Sequence, residues 1–505
     1  MGIPSYFNYV SNNHNEIFQS REEVGTIDEF YLDGNSIIYD VIYNSKEQDY
    51  MRIYQLVCEK IDEYIKYICP KQLVYISFDG IPPLAKVTQQ KERRYKSILI
   101  KELTNKTSEF DTCCITPGTK FMTGLDNFLV SYFKNYSIPM YISGSKEIGE
   151  GEHKLFSFIK KKDRNHTISI YGLDADLIIL SLQNIYSRKN IYLCRENPNY
   201  NNVLDEKFSK EELCFLDIKQ LSKNISETLS PKDPKKGVIN DYVFMSYFLG
   251  NDFMPHFPSI NIRRTGIQLL MDTYKKMKGR DKHFTFSRVN HIQWRNVRMF
   301  LEEIRGMEEK LLIEETKVLQ RKHTHTPFTV EERINFIPSQ HRDYERYINP
   351  SMKNWEKRYY ETLFHTSKKE DIKKICISYM EGLEWTHTYY TQGCKEYRWF
   401  YPYAYAPLLT DLCSSIPHFE CELLERKYNP IHPYTLLSYV LPISSYSLLP
   451  MHVRDIMKSY KKTDSSIHFV WAYCRYFWEC HVESDDLTIS QIEEILSSHS
   501  LIQEK

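Results

Sequence analysis

The chain has 505 residues, and its 66 Lys+Arg balance 66 Asp+Glu to a formal charge of +0. That length supports two or more domains with sizeable cores, while the balance argues neither for nor against a nucleic-acid partner, which local patches would have to recognise. No apolar run approaches the roughly 18 residues of a spanning helix, and the cysteines form no C-x-x-C or zinc array, so the reading is of reduced thiols in a soluble protein, cytoplasmic by default.

The first ten residues, MGIPSYFNYV, are apolar and aromatic and are expected to pack against the body. IDEFYLD then reads as a strand ending on Asp33, with Asn35 two residues on. Over 47–68, Met51, Tyr54, Leu56, Val57, Ile61, Tyr64 and Ile65 recur at helical spacing, and LVYISFD gives a second strand ending on Asp79. Strand, helix, strand is a βαβ unit.

Beyond Asp79, residues 86–101 carry Lys86, Lys91, Arg93, Arg94, Lys96 and Lys101 against the one acid Glu92. If helical, Lys86, Gln90, Arg93 and Arg94 fall at i, i+4, i+7 and i+8 and share one face. A lone charge run is usually a solvated face. Here it follows a strand-ending acid directly, which favours a phosphate site with bidentate arginines.

ITPGTKFMTGLDNFLVSYF turns at Pro117-Gly118 and continues as an amphipathic helix towards GEGEHKL. There two glycines let the backbone turn closely while Glu150 and Glu152 project from the loop opening the next helix. The apolar run 167–173 is a further buried strand, and Asp174 and Asp176 fall at its carboxyl end, where open α/β sheets place ligand sites. Either acid pair alone fits a solvated turn. Three strand-ending acids plus the Glu pair would repel strongly without a cation between them, so a hard divalent metal, Mg²⁺ or Mn²⁺, is expected.

KNIYLCRE and the stretch to Leu221 continue the α/β pattern, and residues 230–241 read as an exposed loop. DYVFMSYFLGNDFMPHFPS is a buried helix that breaks at Gly250 and presents Asp252 as a seventh acid. Val297, Leu301, Ile304, Met307, Leu311 and Val318 predict one long helix from Trp294 to Leu319, and 321–350 reads as a polar loop or mobile connection. The last third is rich in aromatics, with Trp385, Tyr389, Tyr390, Tyr397, Trp399, Phe400, Tyr401, Tyr403 and Tyr405 in one segment. All except Trp385 are assigned to the core, and Trp385 is taken as a stacking face for an unpaired base.

Taken in order, LDGNSIIYD, FDGIPPLAKVTQQKERR, ITPGTKFM, GEGEHK, YGLDADLI, FLGNDFMPHFPS, YYTQGCKEYRWFYPYAYAP and VLPISSYSLLP closely resemble the characteristic blocks of the Xrn-type 5′-to-3′ exoribonucleases. The resemblance covers most of residues 1–270 and, more loosely, 376–480. It implies a PIN/flap-nuclease-like α/β fold, a parallel sheet core flanked by helices with a mainly helical, aromatic-rich second region packed against it. The implied parts are a nuclease core over 1–285, a helical connection and variable loop over 286–375, and a second conserved region over 376–505.

Carried over residue by residue, the resemblance makes Asp33, Asp79, Glu150, Glu152, Asp174, Asp176 and Asp252 the catalytic, metal-binding acids, for two ions of Mg²⁺ or Mn²⁺. It makes Lys86, Gln90, Arg93 and Arg94 the pocket for a 5′-terminal phosphate. Tyr39 stands where the family has a base-stacking histidine, and Trp385 matches a second base contact. The implied activity is processive hydrolysis of single-stranded RNA with a 5′ monophosphate to mononucleotides, in mRNA turnover. A monomer is expected, with no membrane partner and with decapping machinery as a candidate protein partner.

The chain departs from the family pattern at Asn261, Ile262, Arg263 and Arg264, where Asp-Ile-Arg-Glu is usual. The resemblance is to a compact form without the long carboxy-terminal extension of cytoplasmic members. Two rivals stay open: a flap- or PIN-like structure-specific DNA nuclease, which cuts internally, and a non-catalytic RNA-binding protein.

Overall fold

The computed structural model describes residues 2–104, 110–162, 165–185, 190–197, 202–205, 207–209, 212–231, 236–288, 291–321, 328–425, 427–461 and 467–502. Strands β1 (Phe18–Gln19), β2 (Glu29–Asp33), β3 (Leu73–Ser77), β4 (Met140–Ser143), β5 (Thr167–Tyr171), β6 (Asn190–Glu196) and β7 (Leu213–Asp217) form one sheet. Their order is β1-β7-β6-β5-β2-β3-β4. The five strands from β6 to β4 run parallel; at one edge β7 runs antiparallel to β6, and β1 pairs antiparallel with β7 and so points the same way as the five. β2 and β3 are buried along their whole length, which explains their apolar centres, Phe30–Leu32 and Leu73–Ile76.

Alternate side chains of each strand enter different cores. Phe30 and Leu32 of β2 pack with α1 (Asn35–Ser45), α2 (Tyr50–Ile68) and the helix Lys120–Tyr132, whereas Tyr31 faces the helices after β4 and β5. The chain builds β2, β3 and β4 outward in one direction, then crosses back to lay β5 on the other side of β2. That reversal makes β2 and β5 the topological switch point, the place where such sheets open a crevice for ligands.

The basic segment forms α3 (Leu84–Thr104), as the shared-face argument requires. Its Leu84 and Val87 pack against Leu436, Leu437 and Val440 of the helix Pro433–Val440, so the second region seats directly on the basic helix. The long helix Lys369–Gln392 joins the main core through Tyr379, Leu383, Tyr389 and Tyr390. Among the described residues no helix is long and apolar enough to cross a membrane, and none of the twelve cysteines is in a disulfide.

Four expectations need correction. Residues 236–241, read as loop, open the helix Lys236–Ser246, while 232–235 lie outside the described residues. Trp294–Leu319 is not one helix: it divides into Trp294–Arg305 and Glu308–Leu319 at Gly306, and the buried stripe resumes in a new register at Glu308, Leu312, Glu315 and Leu319. In the described part of 321–350 there are three short helices, Val330–Asn335, Ile337–Gln340 and Asp343–Ile348, where a loop was expected. They are held by a Thr329–Glu332 capping box and by the buried pair Arg342–Glu345 at 3.2 Å, polar devices that leave no apolar periodicity to read. Finally, β4 was not anticipated as a sheet member, and β7, which lies in the stretch to Leu221 read as further α/β structure, runs antiparallel to β6.

Glu308 is buried at the second of the divided helices and accepts the Leu409 amide at 3.0 and 2.9 Å. Burial, only partly offset by the Leu409 and Thr410 amides, pushes its carboxyl up to about 8. The folded state holds this proton more tightly than the unfolded chain, so its stabilisation is complete at acid pH and is lost as pH rises through 8. Glu308→Gln cannot ionise, and should exceed the parent by roughly 1–3 kcal/mol near pH ~9 while matching it near pH ~5. Denaturant titrations at the two pH values read the difference.

Candidate active site

The acids converge because each follows a parallel strand or opens the next helix. Asp33 ends β2 opposite Ser77 of β3, Asp79 lies two residues past that strand, and Asp174 and Asp176 follow β5. The loop after β4 ends at Glu150, which takes the N-cap position of the helix Gly151–Ile159 without capping it; Glu152 lies in that helix's first turn. The break at Gly250, where φ is +79°, brings in Asp252 from the far side. All seven acids named from the sequence thus reach one place.

Gly151 shows how tightly they meet. Its amide donates to Asp79 Oδ1 at 2.7 Å, and a Cβ there would lie 2.8 Å from Asp33 Oδ1 and 3.4 Å from Asp79 Oδ1. Gly151→Ala would wedge a methyl group between two carboxylates at an otherwise ordinary helical position. It is expected to cut activity by about a hundredfold, the usual cost of displacing catalytic groups by an ångström, with little change in melting temperature. Equal activity in the two proteins would show that these two acids need not approach each other.

Lys86 is the cation at the centre. Its ammonium lies 2.7 Å from Glu150 Oε2 and 2.8 Å from Asp252 Oδ2, and the side chain is 7% exposed. Burial alone would depress its pKa, but Asp252, Glu150 and Glu152 raise it well above the usual lysine value. Burial likewise pushes Asp252 up, and Lys86 with Arg93 outweighs it, leaving this carboxyl far below its ordinary range. The Gly2 amide adds a donor to Asp252 Oδ1 at 3.0 Å.

The acids that Lys86 does not touch directly are crowded. Burial, then Asp79 and Asp174, raises Asp33 well above the carboxylate range; burial, then Glu150, does the same to Glu152. Burial, then Asp252, pushes Asp176 up to about 7. Asp33 Oδ1 and Asp176 Oδ1 are buried and accept no hydrogen bond among the described residues. Glu150, Glu152 and the neighbouring His153 offer ligand atoms within 4.8 Å of one another. Buried carboxylate oxygens with no donor, in mutual repulsion, fit a divalent cation bound through oxygen.

An open cavity of about 1020 Å³ joins this cluster to the basic helix. Asp33, Asp79, Glu152 and Asp174 line one part, and Lys86, Gln90, Arg93 and Arg94 line another. The four α3 residues do share a face, yet their head groups part company: Lys86 points into the acids, and Arg93 lies 3.7 Å from Asp252. Arg94 donates to Thr116 Oγ1 at 2.5 Å and to the Val440 carbonyl at 3.3 Å. Glu150 and Asp176 are buried, the Asp252 side chain is 3% exposed, and none of the three lines this cavity.

Tyr39 lines the cavity and is 47% exposed, with a ring face available to a ligand. Trp385 does not meet its expectation. It is 3% exposed, stacked on Trp399 at 5.2 Å and against Tyr389 at 4.8 Å, with its indole N–H on the Glu396 carbonyl. A base cannot reach a ring already packed by two aromatic neighbours. Of the aromatics assigned to the core, Phe400 at 37% exposed is the one that lies at the surface.

Sequence reasoning missed three site residues. Asn35 accepts the Asp79 amide at 3.1 Å and donates back to the Asp79 carboxylate. Tyr389 donates to Glu150 Oε1 at 2.5 Å while stacking on His153 at 3.7 Å, and Tyr390 lies beside Asp176. The i+2 spacing of Asn35 from Asp33 was a usable signal; nothing local marks Tyr389, which comes from 239 residues away. At the departures from the family pattern, Asn261 donates to Glu315 at 3.1 Å, and burial raises that carboxyl above its ordinary value while Arg264 offsets part of the rise.

Comparison with known proteins agrees with this architecture. Residues 1–197 match the family model described as XRN 5′-3′ exonuclease N-terminus, and 234–335 with 338–477 match the Xrn1 helical domain. The 5′-3′ exoribonuclease 1 of Saccharomyces cerevisiae is 25% identical, aligned over 90% of this chain and 40% of its own length. Its human counterpart is 26% identical over 90% and 31%, and 5′-3′ exoribonuclease 2 of Arabidopsis thaliana is 24% identical over 85% and 58%. The chain therefore spans between 31% and 58% of the length of these relatives. Among solved structures, the catalytic core of Rad2 in complex with DNA substrate aligns with a TM-score of 0.33 and 14% identity over 61% of this chain and 76% of that one.

Proposed function

The chain belongs to the Xrn-type 5′-3′ exonuclease family, and from that membership and the site geometry we propose that it hydrolyses single-stranded RNA from a 5′-monophosphate end, releasing mononucleotides. The observation that carries the reading is the single cavity lined both by four of the crowded acids and by Gln90, Arg93 and Arg94. An acid cluster alone would serve many hydrolases. A phosphate-binding face a short distance along the same wall ties cleavage to a chain end.

The seven acids are the groups that would hold divalent cations, and Mg²⁺ or Mn²⁺ bound there as a pair would supply the Lewis acidity that activates water and stabilises a departing oxygen. The protein's own groups do the rest. Asp33, Asp79, Glu152 and Asp174 face the cavity, so the first phosphodiester is to be held over them. Arg93 and Arg94 take the terminal phosphate with charge-assisted hydrogen bonds. Tyr39 offers a face to the terminal base. Asn35 and the Gly151 amide hold Asp79 in one orientation, and Tyr389 does so for Glu150.

The test is mononucleotide release from matched single-stranded RNAs carrying 5′-phosphate, 5′-hydroxyl or 5′-triphosphate, with Mg²⁺ and with EDTA. Metal-dependent stepwise loss of the 5′-phosphate RNA is expected. Internal cuts, or indifference to the 5′ end, would move the protein to the flap-like nucleases. No release with Mg²⁺ would leave it a binding protein.

A further inference from the structure

Arg94 is fixed by neutral partners from two distant segments. Its Nη2 donates to Thr116 Oγ1 at 2.5 Å and its Nη1 to the Val440 carbonyl at 3.3 Å. Thr116 is fully buried, and its own hydroxyl proton goes to the Cys113 carbonyl at 2.6 Å. Because that proton is committed, the hydroxyl oxygen meets Arg94 as an acceptor.

The segment bearing Thr116 is itself clamped. Asp111 accepts the Cys113 amide at 3.0 Å and the Ser445 hydroxyl at 2.8 Å, so the second region fixes both the carbonyl that Arg94 reaches and the turn that carries Thr116. Asp111, Cys113, Ser444 and Ser445 all line the cavity.

We infer that Thr116 is a positioning residue that aims the Arg94 guanidinium at the 5′-terminal phosphate, with the Val440 carbonyl as the second point of the fix. This rests on the proposed 5′-phosphate specificity. A guanidinium has five N–H groups in a planar fork, so two anchored hydrogens leave three for a phosphate while removing the rotational freedom that binding would otherwise have to quench. The contrast with Lys86 is physical: Lys86 is held by charge and would shift when cations enter, whereas Arg94 is held by a hydroxyl and a carbonyl that no cation displaces.

The experiment compares Thr116→Val, which keeps shape and loses the acceptor, with Thr116→Ser, which keeps it. Initial rates are measured on 5′-phosphate and 5′-hydroxyl RNA of one sequence, alongside binding of both RNAs in EDTA. Thr116→Val should lower kcat/KM on the 5′-phosphate RNA by about tenfold, mostly through KM, and leave the 5′-hydroxyl RNA within about twofold. Thr116→Ser should restore the preference, and in an Arg94→Ala background Thr116→Val should add nothing.

Equal losses on both RNAs would assign Thr116 a merely structural role and overturn the inference, as would a further loss on top of Arg94→Ala. Should Thr116→Val not fold, Ser445→Ala loosens the same turn and should reduce the 5′-phosphate preference alone. A parent protein indifferent to the 5′ end in both rate and binding would overturn the specificity reading and this one together. A preference that Thr116→Val leaves intact would overturn this one alone.

Discussion

Asp33→Asn is expected to lower metal-dependent nucleotide release by about a thousandfold and, in EDTA near pH ~8, to raise the melting temperature above that of the parent. The two halves have one cause. Asp33 is buried beside Asp79 and Asp174, and burial together with those charges raises its carboxyl well above the ordinary range. A raised folded-state pKa means that the native protein binds the proton more tightly than the unfolded chain. Its contribution is therefore full below the ordinary carboxylate pKa and is lost as pH climbs through the raised value. At pH ~8 without metal the parent carries an ionised or protonated acid at a cost that a neutral amide of the same shape avoids. With Mg²⁺ the order should invert, because the parent alone gains the stabilisation that comes from binding a ligand to the native state. Melting curves in EDTA and in Mg²⁺ at two pH values separate these effects. A variant less stable than the parent in EDTA at every pH would show that Asp33 serves as a structural acceptor and not as one of a crowded set of ligands.

The acids were legible because their signal is local. Asp33, Asp79 and Asp174 each follow a short apolar run, and the rule that parallel strands deliver ligands at their carboxyl ends needs no tertiary knowledge. The shared face of Lys86, Gln90, Arg93 and Arg94 is likewise a matter of helical period. What the period cannot reveal is where a long side chain ends. Lys86 turns inward because Glu150 and Asp252, brought from 64 and 166 residues away, leave a hole for one ammonium. Trp385 was read as open because an aromatic-rich run looks the same whether its rings stack on bases or on one another. The ring contacts with Trp399 and Tyr389 decide it. The three short helices within 321–350 escaped for another reason: each buries only one apolar residue, Ile334, Pro338 or Ile348, beside a capping box and the buried Arg342–Glu345 pair, so no apolar stripe marks them.

Lys86→Met should cost roughly 3–5 kcal/mol of stability in EDTA, the largest single effect predicted for the pocket. The methylene stem keeps its packing, but Glu150 and Asp252 lose the buried cation that both approach within 2.8 Å, and Glu152 loses a charge that offsets its own burial. Removing one member of a buried ion cluster is costly because the remaining charges stay desolvated. Divalent cations offer the same carboxylates an alternative partner, so Mg²⁺ should recover more stability in the variant than it adds to the parent. The comparison also separates two roles for this lysine. If its ammonium serves chiefly the acids, the variant in Mg²⁺ keeps its preference for 5′-phosphate RNA through Arg93 and Arg94; if it serves chiefly the phosphate, the preference falls while stability in EDTA stays near that of the parent. The distances favour the first outcome, since the oxygens of both ion pairs made by the ammonium belong to carboxylates of the cluster. On that outcome Lys86 is a built-in counter-charge that keeps seven crowded acids folded until cations arrive.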